Sequence, residues 1–157
     1  MNASLLEIPT PLWRALCLEL RCRGRGENES GAFLLAKPGS VRVERILYYD
    51  DLDETALDSG IITFHAPGFV RLWDYCGREG FRVVADVHTH PTEWTGQSWS
   101  DQIHPMIAIA GHIALILPNY AQHDVDTLHG VGIYEYLGDH KWRKHLPATK
   151  NSPIKLL

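Results

Sequence analysis

Helical stripes alternate along this chain with short β-rich runs, in an order that predicts an α/β domain with a mixed sheet layered between helices, α/β/α. Three observations predict it. Apolar residues recur at helical spacing near positions 10–24 and 67–78. Short apolar runs at 31–36, 41–47, 81–87 and 112–117 read as strands. The elements follow as helix, two strands, helix, strand, helix, strands, and 157 residues suit one domain.

Thr10-Pro11 is a helix-start signal, with Thr10 as N-cap and Pro11 at the first helical position. Leu12, Leu16 and Leu20, beside Trp13 and Cys17, then form an apolar stripe that ends near Arg23-Gly24. Arg21, Arg23 and Arg25 suit the C-terminal dipole; a solvated helix end is the ordinary reading, a site for an acidic partner the other. Residues 31–36 are a strand, Pro38-Gly39 a turn, and Val41, Val43, Ile46 and Leu47 its hairpin partner, with Glu29 at the sheet edge. The acidic run 50–54, with Asp58, reads as a solvated loop able to meet a basic substrate segment. In the next helix Phe69, Leu72, Trp73 and Cys76 share one face, expected to be core.

The central strand opens at Phe81, and Asp86 shares a face with His88. A helix is expected over 98–111, with Ile103, Ile107 and Ala110 inward and His104 on its surface. A strand at 112–117, a turn at Pro118-Asn119 and a hairpin of 128–136 with 141–145 complete the domain. The intervening loop holds His123, Asp124, Asp126 and His129, whose spacing matches no metal site. The domain is expected to span 1–146, leaving 147–157 as a loose tail.

Composition excludes several classes. A net charge of −4 with no basic patch argues against nucleic-acid binding. Three cysteines form no paired framework, which favours a reducing, cytoplasmic compartment. Residues 1–10 do not form a signal peptide, and the longest apolar run, 106–117, is too short and interrupted to span a membrane.

The chemistry concentrates in 88–101, His-Thr-His-Pro-Thr-Glu-Trp-Thr-Gly-Gln-Ser-Trp-Ser-Asp. Residues two apart on a strand face the same way, so His88 and His90 project side by side, as two imidazoles must to share one ion. Pro91 ends the strand, and Ser98-x-x-Asp101 has the form of a capping box that opens a helix. Two neutral imidazoles and the Asp101 carboxylate make an open zinc site with a fourth position for water. The helical His-Glu-x-x-His of zincins, the zinc-deaminase signature and a Gly-x-Ser-x-Gly elbow are all absent.

The spacing His-x-His, seven residues, Ser, two residues, Asp resembles the JAMM motif of the JAB1/MPN metalloprotease family. The stretch Glu29-Ser30-Gly31-Ala32-Phe33-Leu34-Leu35-Ala36 resembles the family's upstream glutamate and strand. The resemblance covers about residues 27–145. It implies the three-layer MPN fold, similar to that of cytidine deaminases, and one zinc ion per chain on His88, His90 and Asp101. It implies Glu29 as general base, with Glu27 as nearby competitor, and Ser98 as the residue that stabilises the transition state. It further implies hydrolysis after the C-terminal glycine of a ubiquitin-like protein, in a bacterial system that includes E1-like and E2-like enzymes, with antiviral defence as one setting for it. The alternatives are a peptidase that processes a ubiquitin-like or sulfur-carrier precursor, a phage-tail-type protease, and a partner-dependent MPN scaffold.

Overall fold

The computed structural model describes residues 5–147 and 152–157. Its strands are β1 (Leu6–Ile8), β2 (Gly31–Ala36), β3 (Arg45–Tyr48), β4 (Arg82–Thr89), β5 (Ile113–Leu117), β6 (Gly132–Gly138), β7 (Lys141–His145) and β8 (Ile154–Leu156). Its α-helices are α1 (Thr10–Gly24), α2 (Tyr49–Leu52), α3 (Ala66–Glu79) and α4 (Trp99–Ile103). Six strands form one sheet in the order β3-β2-β4-β5-β6-β7. Only the central pair β4–β5 is parallel, so the sheet is mixed as expected. Parallel strands need a crossover rather than a hairpin. That crossover, residues 90–112, carries Ser98 and Asp101.

Helices cover both faces. On one, Trp13, Leu16, Cys17 and Leu20 of α1 pack on Leu34, Ala85, Val87, Leu115 and Ile133. On the other, Leu72 and Cys76 of α3 pack with Phe33, Leu35 and Tyr49. Full burial of a side chain such as Leu16 or Leu34 stabilises by about 1.5–3 kcal/mol, which is what fixes the layers. Among the described residues no helix is long and apolar enough to cross a membrane.

Several local expectations are corrected. The α1 N-cap is Pro9 and Thr10 is already helical, while Arg25 closes the helix in the left-handed conformation at φ 57°. Glu29 does not stand at a sheet edge, because β2 lies between β3 and β4. The acidic run is not a free loop. Asp50 and Asp51 pair with Arg23 at 3.1 and 2.9 Å, and Asp53 accepts from the His65 and Thr55 backbones. Arg21 is likewise engaged, donating to the Ala121 carbonyl at 3.0 Å. Trp73 is half exposed, since the buried stripe of α3 narrows to Gly68, Leu72 and Cys76, each one turn apart. The helix after Ser98 stops at Ile103, and Ala110 is exposed. Pro105 has no N–H to continue it and disfavours helical backbone at His104. Finally, the end of the expected loose tail is ordered. β8 pairs in parallel with β1 and buries Ile154 in the α1 layer, a contact of three residues that periodicity is too short to reveal.

Candidate metal centre

The site lies where β4 ends. In strand register His88 stands beside Gly31 of β2 and Ile116 of β5. Gly31 is required there, because a Cβ would overlap the Tyr49 ring and come within 2.7 Å of the Val87 carbonyl. The start of β2 is pinned to the end of β4: Ser30 N–H donates to Thr89 Oγ1 at 3.0 Å and Thr89 N–H to the Ser30 carbonyl at 2.9 Å. Ser30 Oγ also donates to the Leu20 carbonyl of α1 at 2.8 Å. Glu29, one residue earlier, is therefore delivered to the same strand end as the histidines, and its own N–H is held by the Gly60 carbonyl.

Beyond β4 the chain is held by backbone contacts with the turn after β5. His90 N–H donates to the Leu117 carbonyl, Tyr120 N–H to the His90 carbonyl and Asn119 N–H to the Thr92 carbonyl, at 2.8–2.9 Å. Asn119, Tyr120 and Ala121 all take left-handed backbone, with φ of 53°, 54° and 65°. Further on, the Thr95 carbonyl accepts from the Tyr134 hydroxyl at 2.8 Å, and a Cβ on Gly132 would overlap that carbonyl. The capping box forms: Ser98 Oγ accepts from the Asp101 N–H at 3.0 Å, and Asp101 Oδ2 from the Ser98 N–H at 2.9 Å. Trp142 Nε1–H donates to the Gln102 carbonyl and ties α4 to β7.

These supports bring three ligand atoms together. His88 Nε2 and His90 Nε2 are 3.1 Å apart, and Asp101 oxygens lie 3.5 Å from the first and 3.4 Å from the second. Four-coordinate zinc, about 2.0–2.1 Å from each ligand, sets neighbouring ligand atoms about 3.3 Å apart. His90 Nδ1 lies 3.1 Å from the Trp94 carbonyl, and donation there leaves the Nε2 lone pair facing the centre. The donor set fits a divalent metal ion.

Burial would raise the Asp101 carboxyl, but hydrogen bonds with His88 and His90 and the Ser98 N–H outweigh it and hold it well below the carboxylate range. Burial works to lower the His88 imidazole, and Asp101 overrides it and raises it. Glu29 is pushed up, chiefly by burial and against the pull of His88 and His90. All five residues singled out from the sequence, Glu29, His88, His90, Ser98 and Asp101, line one cleft, and His104 stands at its edge. Glu27 is exposed and is not part of the cleft lining. The loop histidines and acids of 123–129 form no ligand cluster among the described residues.

Sequence alone misses the parts that act through backbone or through distant pairing. Trp94 contributes its carbonyl, and its ring stacks on His90 with centroids 5.3 Å apart. Asp86 is buried and bonded to His112 Nε2 at 2.6 Å and more loosely to the Tyr49 hydroxyl at 3.4 Å. The shared face of Asp86 and His88 was the one available signal for it.

No protein-family model matches the chain. Solved structures do resemble it. A JAB1/MPN domain protein of Archaeoglobus fulgidus aligns over 99% of this chain and all of its own, at 13% identity and a TM-score of 0.54. The fold is that of a JAB1/MPN domain. A protein of Salinibacter ruber aligns over 96% of both chains at 15% identity, with a TM-score of 0.57. One of Desulfitobacterium hafniense aligns over 89% of both at 14%, with a TM-score of 0.55.

Proposed function

We propose that the chain is a zinc-dependent peptidase or isopeptidase that cuts the bond after the C-terminal glycine of a ubiquitin-like protein. The observation that carries this reading is the convergence of His88, His90 and Asp101 in an open cleft that also contains Glu29 and Ser98. The motif resemblance and the JAB1/MPN fold support it. When bound on these ligands, zinc supplies Lewis acidity and lowers the pKa of water from 15.7 to roughly 7. The Glu29 carboxylate takes the proton of the attacking water and returns it to the leaving nitrogen. Water thus adds across the C–N bond, its hydroxyl to carbon and its proton to nitrogen. Ser98 Oγ accepts from the Asp101 N–H, so its own proton is left to donate to the developing oxyanion. Such a donor is worth about 10²–10³ in turnover. E1-like and E2-like enzymes are the partners that would make such a conjugate.

The test is to mix zinc-loaded protein with a ubiquitin-like protein fused or conjugated to a target and to read the products by mass spectrometry. Intact modifier ending in glycine is expected. Cleavage inside the folded modifier would make the protein a general protease, and no cleavage with zinc bound would make it a partner-dependent scaffold.

A further inference from the structure

The cleft above β4 has two apolar walls. On the β2 side stand Phe64, Phe69 and Tyr49, with Phe64 edge-on to Phe69 at 4.7 Å and tilted against Tyr49 at 5.3 Å. On the β5 side are Ala114, Ile116 and Trp142, the last edge-on to Tyr136 at 4.9 Å. Because β4 runs between β2 and β5, the walls flank the two β4 side chains that face the cleft, His88 and Asp86. The space begins at the metal ligands and runs back along the strands from the His88–Ile116 pair to the Asp86–Ala114 pair. Two residues of strand make that about 7 Å. The whole cleft holds about 690 Å³, within the range of sites that enclose small ligands.

Charge decides what can enter. Among the described residues no Lys or Arg lines the cleft, so an acidic side chain meets no counter-charge from one. Of the three carboxylates that line it, Glu29 and Asp101 belong to the reacting end, and Asp86 is occupied by His112 and Tyr49. A cation would surrender its water for a carboxylate already paired, which is unfavourable. Of the acidic run, Asp50 and Asp51 pair with Arg23 and Asp53 holds the start of α3. An uncharged ring or long aliphatic chain, in contrast, loses water and gains aromatic contacts on both sides.

We infer that the enzyme is selective for a bulky apolar side chain within two residues of the bond it cuts, seated between Phe69 and Trp142. This rests on the hydrolase reading above. The experiment offers zinc-loaded protein a positional-scanning library of N-acetylated octapeptide amides and locates cleavage by mass spectrometry. Phe, Trp, Leu or Met at one position near the cut is expected to exceed Ala, Asp or Lys at least about ten-fold. Ala114→Phe, which enlarges the β5 wall, and Met106→Trp, which enlarges a lining residue outside the sheet, should each flatten that preference. A flat or charge-seeking profile in the unaltered protein would overturn the inference and leave the hydrolase reading standing. Should no peptide be cut, N-acetylphenylalaninamide and N-acetyllysinamide are titrated into the Glu29→Gln protein and followed by NMR. Shifts at Ala114, Ile116 and Met106 with the phenylalanine probe alone would uphold the chamber, and the hydrolase reading is then decided separately by the ubiquitin-like fusion; no such shifts would overturn the inference.

Discussion

Among the described residues three aspartates meet histidines, and they use the same two kinds of side chain to different ends. Asp86 and His112 are both buried and stand 2.6 Å apart. Asp53 and His65 also stand 2.6 Å apart, but His65 is half exposed. Asp101 meets His88 and His90 at 3.5 and 3.4 Å, and the two imidazoles approach each other to 3.1 Å. A charge-assisted hydrogen bond closes to about 2.7–2.9 Å or less when nothing else competes for the pair. The first two pairs have closed. The third set stays open by more than half an ångström on every Asp–His contact, with its atoms aimed at a common point. Acid and imidazole that serve only each other draw together, whereas the Asp101 set keeps a spacing that would suit a shared metal ion.

The predictions test that contrast, beginning with the largest effect. His88→Ala should abolish metal binding and reduce turnover to background, measured by metal analysis of the purified protein and by cleavage of a ubiquitin-like fusion. Retention of about one zinc per chain would break the comparison at its centre. Glu29→Gln should lower turnover about 10²–10⁴-fold with zinc content unchanged, since the residue moves a proton and does not ligate. Loss of zinc together with activity would put Glu29 among the ligands.

His112→Ala should behave in the opposite way to His88→Ala. It leaves Asp86 buried without its partner, which costs roughly 3–5 kcal/mol in denaturant unfolding, while zinc stoichiometry stays the same. Metal loss as severe as in His88→Ala would erase the distinction between the closed pair and the open set.

The smallest effect belongs to Asp53. Burial would raise its carboxyl, but hydrogen bonds from His65 and Thr55 hold it down at about 2. Its folded value lies below the unfolded one, so its contribution is present above about pH 4 and is lost as pH falls towards 2. Asp53→Asn should therefore cost about 1–3 kcal/mol at neutral pH, with the gap to the unaltered protein closing between pH 4 and 2. A gap that is constant with pH would mean that the charge of Asp53 is idle.

The sequence made the ligand set legible because strand alternation and a capping box place His88, His90, Ser98 and Asp101 without reference to the rest of the chain. Each depends on neighbours at most three residues away. Glu29 needed the resemblance, since its place depends on the long-range clasp of Ser30 with Thr89. The fold class followed from periodicity, but the β1–β8 pair did not, because three residues at opposite ends of the chain carry no period. The role of Asp86 was hidden for a similar reason: its partner lies 26 positions away. The acidic run is in part solvated as expected, at Asp51, Glu54 and Asp58, but its pairing with Arg23 was hidden because charge in a sequence does not reveal which arginine will come to meet it.

The left-handed turn behind His90 sets two aims of protein engineering against each other. Left-handed backbone costs an L-residue other than glycine or asparagine about 1–2 kcal/mol, and Tyr120 and Ala121 both adopt it. A campaign to raise thermal resistance would find a gain there by introducing glycine, which holds positive φ without steric penalty. The same substitution frees the segment that fixes the His90 backbone through Tyr120 N–H and the 90–92 stretch through Asn119 N–H. Variants selected for heat tolerance alone should drift towards glycine at 120 or 121 and, in doing so, lose the aim of the imidazole.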